Sequence, residues 1–113
     1  MRPILARERP LVDALFEFAG LPVPDTAAKV EEMNDGGMGS LAFAPRGRRL
    51  GGTLSECRFT DADGVLVFVA LNLDEDGRPL EIDVWKVDFT PLKRWPRRED
   101  LSRFGSEGNE PRH

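Results

Sequence analysis

The sequence predicts an α+β fold, in which an N-terminal helix packs on an antiparallel, meander-like sheet of about five strands. Two short acidic turns that end in glycine, at residues 61–64 and 74–77, separate runs of apolar residues. Asp-Gly between such runs is typical of a β-hairpin, because glycine adopts the positive φ that tight turns require. Near the N-terminus, apolar residues recur at helical spacing. They are Leu11, Ala14, Leu15 and Phe18.

The helix is predicted over about residues 7–19. Pro10 fits its first turn, where a missing N–H costs little, and Gly20 followed by Pro22 ends it. Leu11, Leu15 and Phe18 are expected to be buried against the sheet face that contains Val67 or Phe68. The predicted strands follow at residues 29–34, 41–44, 53–60, 65–73 and 78–89.

The last predicted strand has an irregular pattern. Leu80, Ile82 and Val84 alternate in phase, whereas Val87 and Phe89 are out of phase with them. One extra residue near positions 84–85, a β-bulge, would restore the alternation. The bulge would turn four charged residues outward. They are Glu81, Asp83, Lys86 and Asp88.

Length and composition predict one domain over residues 1–101, with a flexible C-terminal tail over 102–113. The formal net charge of −4 and the absence of a long apolar run argue against nucleic-acid binding and a membrane span, and favour the cytoplasm. Cys57, the single cysteine, is expected to be a buried strand residue.

Histidine chemistry is disfavoured, because the only histidine is the terminal His113. The acidic turns lack the third ligand of an EF-hand loop, and hairpin turns are preferred there over a weak cation site. The Gly-rich segment 35–40 precedes a strand pattern and lacks the lysine of a phosphate loop, so a structural turn is preferred. No metal or cofactor is predicted.

Two function hypotheses remain. The first is a non-catalytic protein-binding module, acting as a monomer or homodimer, with a charged and aromatic surface near the last strand. Its candidate binding residues are Glu81, Asp83, Trp85, Lys86, Asp88, Arg94 and Trp95. The alternative is a small enzyme that uses Asp35, Asp83 or Asp88 as acid or base, for which a concave pocket around paired carboxylates would be required.

Two motifs together resemble a family of small, uncharacterised bacterial proteins, a domain of unknown function. They are Asp-Gly-Gly-Met-Gly-Ser-Leu at 35–41 and Glu-Ile-Asp-Val-Trp-Lys-Val-Asp-Phe-Thr-Pro-Leu at 81–92. The resemblance covers most of residues 1–95 and implies a bacterial, intracellular, single-domain protein. It implies no activity and no site residues. A looser similarity to immunity proteins that neutralise toxins rests on size, acidity and layout.

Overall fold

A computed structural model describes residues 1–104 and contains one seven-stranded antiparallel sheet. The strand order is β1-β2-β3-β6-β5-β4-β7. The strands are β1 (Arg2–Pro3), β2 (Lys29–Glu32), β3 (Leu41–Phe43), β4 (Leu50–Thr60), β5 (Leu66–Asp74), β6 (Pro79–Lys86) and β7 (Ser102–Phe104). The helix α1 spans Arg9–Phe18, and a 3-10 turn spans Arg98–Asp100.

The predicted fold class is therefore wrong: the fold is mostly sheet, with seven strands and one short helix among the described residues. Strands of two and three residues, such as β1 and β7, are too short to show an alternating pattern. The sheet is also not a simple meander, because β3 pairs with β6 rather than with β4. Residues 102–104 of the predicted tail pair with β4, and the rest of that tail lies outside the described residues.

The helix lies on one face of the sheet, against β4 and β5. Pro10 occupies its first turn, and Leu11 and Leu15 are fully buried, as predicted. Phe18 is only partly buried, and the guanidinium groups of Arg98 and Arg103 lie 4.8 and 5.2 Å from the centre of its ring. The Ser55 hydroxyl donates to the Leu15 carbonyl at 2.7 Å, which ties the helix to β4.

Alternate residues of the central strands form the core beneath the helix. This face contains Val67 rather than Phe68. The sheet residues of this hydrophobic core are Val30, Leu41, Phe43, Cys57, Phe59, Val67, Val69, Leu71, Ile82 and Val84. Burial raises the pKa of the Cys57 thiol to about 12, in keeping with its predicted place in the core.

The predicted bulge near positions 84–85, in strand β6, is wrong. The register of β6 against β5 is continuous from Glu81 to Lys86, and the irregularity lies at the opposite end, between the pairs Asn72–Glu81 and Leu73–Pro79. Alternation therefore continues past Val84, and Lys86 lies on the core face with Ile82. No helix in the described residues is long and apolar enough to cross a membrane.

Candidate functional site

The sheet has a second face, opposite α1, which we call the open face. The register places Phe68 beside Trp85 and Ala70 beside Asp83 on this side. The side chains at its centre, on β4, β5 and β6, are exposed or half-exposed, apart from the buried Asn72. Its central members are Glu56, Arg58, Phe68, Ala70, Asn72, Glu81, Asp83 and Trp85. An open face of this kind offers groups from three neighbouring strands to a binding partner.

An aromatic row crosses this face, made of Phe68, Trp85 and Phe89. The rings of Phe68 and Trp85 stack with centroids 5.6 Å apart, and Phe89 lies 6.4 Å from Trp85. Trp85 is 44% exposed and Phe89 is 68% exposed. Phe89 also has a φ of 64°, a left-handed conformation that is strained for a bulky residue. The chain thus places a large apolar ring in solvent on a strained backbone.

Carboxylates lie beside the aromatic row. Partial burial, together with the nearby charges of Glu81 and Asp35, raises the pKa of Asp83 above its usual value. Among residues 1–104, neither Asp83 nor Glu56 has a cationic partner, whereas Glu81 accepts a hydrogen bond from the Asn72 amide at 2.9 Å. The free carboxylates give the open face an excess of negative charge over its single central cation, Arg58.

The structure brings together only part of the predicted binding set. Glu81, Asp83 and Trp85 share the open face. Arg94 is exposed in the segment after β6, and Trp95 is half-buried there beside the Gly-rich turn. Asp88 lies in a turn, where its carboxylate accepts hydrogen bonds from the backbone and the hydroxyl of Thr90, which lower its pKa.

The predicted outward position of Lys86 is wrong. Its side chain has no exposed surface, and its ammonium donates to Asp61 at 2.9 Å, to Asp63 at 2.6 Å and to the Pro91 carbonyl at 3.0 Å. Burial of the ammonium opposes its charge, but the bonds to Asp63 and Asp61 outweigh burial and raise the pKa of Lys86. This cluster is a structural anchor, since Lys86 is closed to any ligand.

Asp61 joins the same anchor to the segment after β6. Its carboxylate accepts backbone hydrogen bonds from Lys93 at 2.8 Å and Arg94 at 3.1 Å. Burial opposes the charge of Asp61, but these bonds and the one from Lys86 lower its pKa overall. The cation held by the first acidic turn is thus the chain's own lysine.

The second acidic turn is also held internally. The buried Asp74 carboxylate accepts from the backbone of Asp76 and Arg78 and binds the Arg48 guanidinium at 3.0 Å. No group of three or more histidine, cysteine or acidic side chains in the described residues is arranged to hold a metal ion.

Backbone N–H groups of the Gly-rich turn are already hydrogen-bonded within the turn. The Asp35 carboxylate accepts from the N–H groups of Met38 at 3.1 Å and Ser40 at 3.0 Å, the kind of donors that a bound phosphate would use. A small cavity of about 160 Å³ lies beside this turn. The buried Glu8 in its wall is paired with Arg2 at 2.7 Å.

Sequence reasoning missed Phe68, Phe89, Ala70 and Glu56 as members of the open face. The available signal was the turn at 61–64, which fixes the β4–β5 register and so pairs Glu56 with Ala70. Extending the same register into β6 would have placed Ala70 next to Asp83.

The molecule is thus a small domain built on one antiparallel sheet, with a helix on one face and an acidic, open second face. The chain belongs to the family described as Domain of unknown function (DUF6984), whose model matches residues 1–96. This confirms the resemblance to an uncharacterised domain family. Comparison with curated proteins and with solved structures found no match.

Proposed function

We propose that this chain is a non-catalytic protein-binding module whose open face binds a basic surface of another protein. The single observation that supports this most strongly is the exposed aromatic row beside Asp83 and Glu56, which have no cationic partner in the described part of the chain. Exposed Trp85 and Phe89 offer apolar area, and tryptophan is among the residues that contribute most to protein interfaces. The proposal keeps the immunity-like role of the sequence analysis as one form that such a module could take.

Charge indicates the chemistry of the partner. On the central open face of the described residues, Glu56 of β4 and Glu81 and Asp83 of β6 are opposed by the single cation Arg58. A positively charged surface would be attracted to this face and would relieve the repulsion around Asp83. A second copy of the chain docked through the same face would oppose like charges, which disfavours a homodimer of that kind.

The three aspartates that the enzyme alternative requires lie in surroundings that suit binding better than catalysis. Asp35 and Asp88 accept hydrogen bonds that hold their own turns. Asp83 lies on an exposed sheet face rather than in a concave pocket. A general acid or base requires a site that positions a substrate around it, and the open face supplies none around Asp83.

The test is affinity capture with four versions of the protein. Wild type, Asp83→Lys and Trp85→Ala are compared with Glu75→Lys, which reverses the same charge in an exposed turn away from the open face. We expect one basic protein to be captured by wild type and Glu75→Lys and lost in the other two. The captured protein is then purified and titrated, and binding should weaken as salt rises. Equal capture by all four versions would reject the proposal.

A further inference from the structure

A second row of side chains crosses the open face four residues along the strands from the aromatic row. The Thr53 hydroxyl donates to the Asn72 side-chain oxygen at 2.8 Å, and the Asn72 amide donates to Glu81 at 2.9 Å. These three residues, which we call the amide row, lie on β4, β5 and β6. Asn72 is buried, and its hydrogen bonds to Thr53 and Glu81 link the row across the three strands.

Between the two rows, the middle of the open face has only the small side chain of Ala70 on β5, and we call this strip the groove. Its floor is the methyl group of Ala70, which has Phe68 on one side and Asn72 on the other along β5. Residues two apart on a strand are about 7 Å apart, so the two rows are about 13 Å apart at Cα. A small side chain between larger ones leaves a depression that a long side chain can fill.

The ends of the groove are acidic. Glu56 is paired with Ala70 on one side, and Asp83 is paired with it on the other. Two strand spacings put the Cα atoms of these residues about 10 Å apart. Neither carboxylate has a cationic partner among residues 1–104. The groove therefore has an apolar floor, an aromatic wall and a free anion at each end.

We propose that this groove binds an arginine side chain of the protein partner. The inference rests on the proposed function and adds the group that is recognised. The apolar stem of an arginine would cover the Ala70 methyl, and its planar guanidinium would lie against Trp85 while donating to Asp83 or Glu56. Arginine fits better than lysine, because a planar guanidinium stacks on rings and pairs bidentately with carboxylates.

The first experiment uses acetylated tri-arginine amide and tri-lysine amide as probes, titrated into ¹⁵N-labelled protein at low salt. Tri-arginine should shift the backbone amide signals of Ala70, Asp83 and Trp85, and tri-lysine should bind about threefold more weakly, since lysine loses the stacking contact. The absence of shifts in this region, or equal affinity for the two peptides, would overturn the inference.

The second experiment fills the groove without changing its charge. Ala70→Leu should weaken tri-arginine binding about tenfold, because the stem and the carboxylates can no longer be reached together. Glu56→Gln should weaken it less, and the matched control Glu75→Gln should leave it unchanged. Thermal melting identifies any variant that fails to fold. If Ala70→Leu does not fold, the binding of tri-arginine to Glu56→Gln decides whether the groove is the site. Unchanged binding by the folded groove variants rejects the arginine groove.

Capture of the natural partner separates the two proposals. If Asp83→Lys loses the partner while Ala70→Leu retains it, the open face is a binding surface but the groove does not bind arginine. If both retain it, the proposed function fails as well. If the protein alone sediments as a dimer and Asp83→Lys sediments as a monomer, the face joins copies of this chain and both proposals are rejected.

Discussion

Lys86 and Asp61 form an ion pair of 2.9 Å in which neither side chain has exposed surface. The pair joins the end of β6 to the turn between β4 and β5, and Asp63 and the Pro91 carbonyl complete the contacts of the ammonium. A buried charge is tolerated only when it is paired and hydrogen-bonded. Removing one member leaves the other buried without its partner, which costs far more than the pair contributes.

Replacing Lys86 with Met should therefore lower the urea midpoint of unfolding markedly. The exposed pair of Arg46 and Glu31, 2.6 Å apart, is the matched control, since exposed pairs contribute little. Arg46→Met should leave the midpoint almost unchanged. The double variant Lys86→Met, Asp61→Asn should recover part of the loss, because the unpaired carboxylate is gone. Equal midpoints for Lys86→Met and Arg46→Met would contradict a buried anchor.

The ion pair of Lys86 and Asp61 should also make the stability of the protein depend on pH. The pKa of Asp61 is lower in the folded protein than its ordinary value of 3.8, so its ionised form favours folding. Its contribution is complete above pH 3.8 and is lost as the pH falls below that value. The raised pKa of Lys86 gives a contribution that is complete below pH 10.5 and is lost as the pH rises further. Urea midpoints are measured for wild type and Asp61→Asn between pH 2 and 7. The midpoint of wild type should fall more steeply with decreasing pH than that of Asp61→Asn, since asparagine does not titrate.

Of the two phenylalanines on the helix, Phe16 should contribute more to stability than Phe18. Phe16 is buried and its ring meets Phe43 edge-on at 5.7 Å, whereas Phe18 is only partly buried. Phe16→Ala should cost about 3–5 kcal/mol of unfolding free energy, and Phe18→Ala should cost less. Urea unfolding of the two variants measures the difference. A larger loss for Phe18→Ala would show that its contacts with Arg98 and Arg103 have been underestimated.

Phe89 should reveal a conflict between stability and binding. Glycine adopts its φ of 64° without strain, whereas alanine does not. Phe89→Gly should therefore be about 1 kcal/mol more stable than Phe89→Ala. Both variants should bind the partner more weakly, because each loses the same exposed ring. Identical stabilities for the two variants would show that the backbone turn relaxes when the ring is removed.

The Cys57 thiol should be unreactive in the folded protein. It is fully buried, and its pKa of about 12 leaves almost no thiolate at neutral pH. Labelling with a thiol reagent should follow unfolding, so its rate should increase steeply in urea. Fast labelling in buffer alone would place Cys57 outside the core.

Local signals in the sequence were sufficient for the helix and the two hairpins. The acidic turns lie where the sequence predicted them, because glycine at positions 64 and 77 has the positive φ that these turns need. The pairing of β3 with β6 depends on residues far apart in the chain, and no local pattern indicates it.

The position of Lys86 was mispredicted for a physical reason. We expected a bulge because Val87 and Phe89 are out of phase with Ile82 and Val84, whereas the alternation continues unbroken and places Lys86 inside. The compensating charges are Asp61 and Asp63, more than twenty residues away in the sequence. A lysine in phase with core residues, together with an acidic turn, was the signal that could have revealed this.

The outer strands of the sheet have a consequence for self-association. In the described chain, one border of the sheet is the two-residue β1, and the other is the three-residue β7, which pairs with Glu56 to Arg58 of β4. Further along β4, register shifts near Gly52 and Thr53 interrupt the regular ladder. Short and irregular borders give another molecule few aligned backbone groups with which to lengthen the sheet, so growth into fibrils is discouraged. The protein can therefore expose the aromatic and charged open face, while the borders of its sheet resist polymerisation.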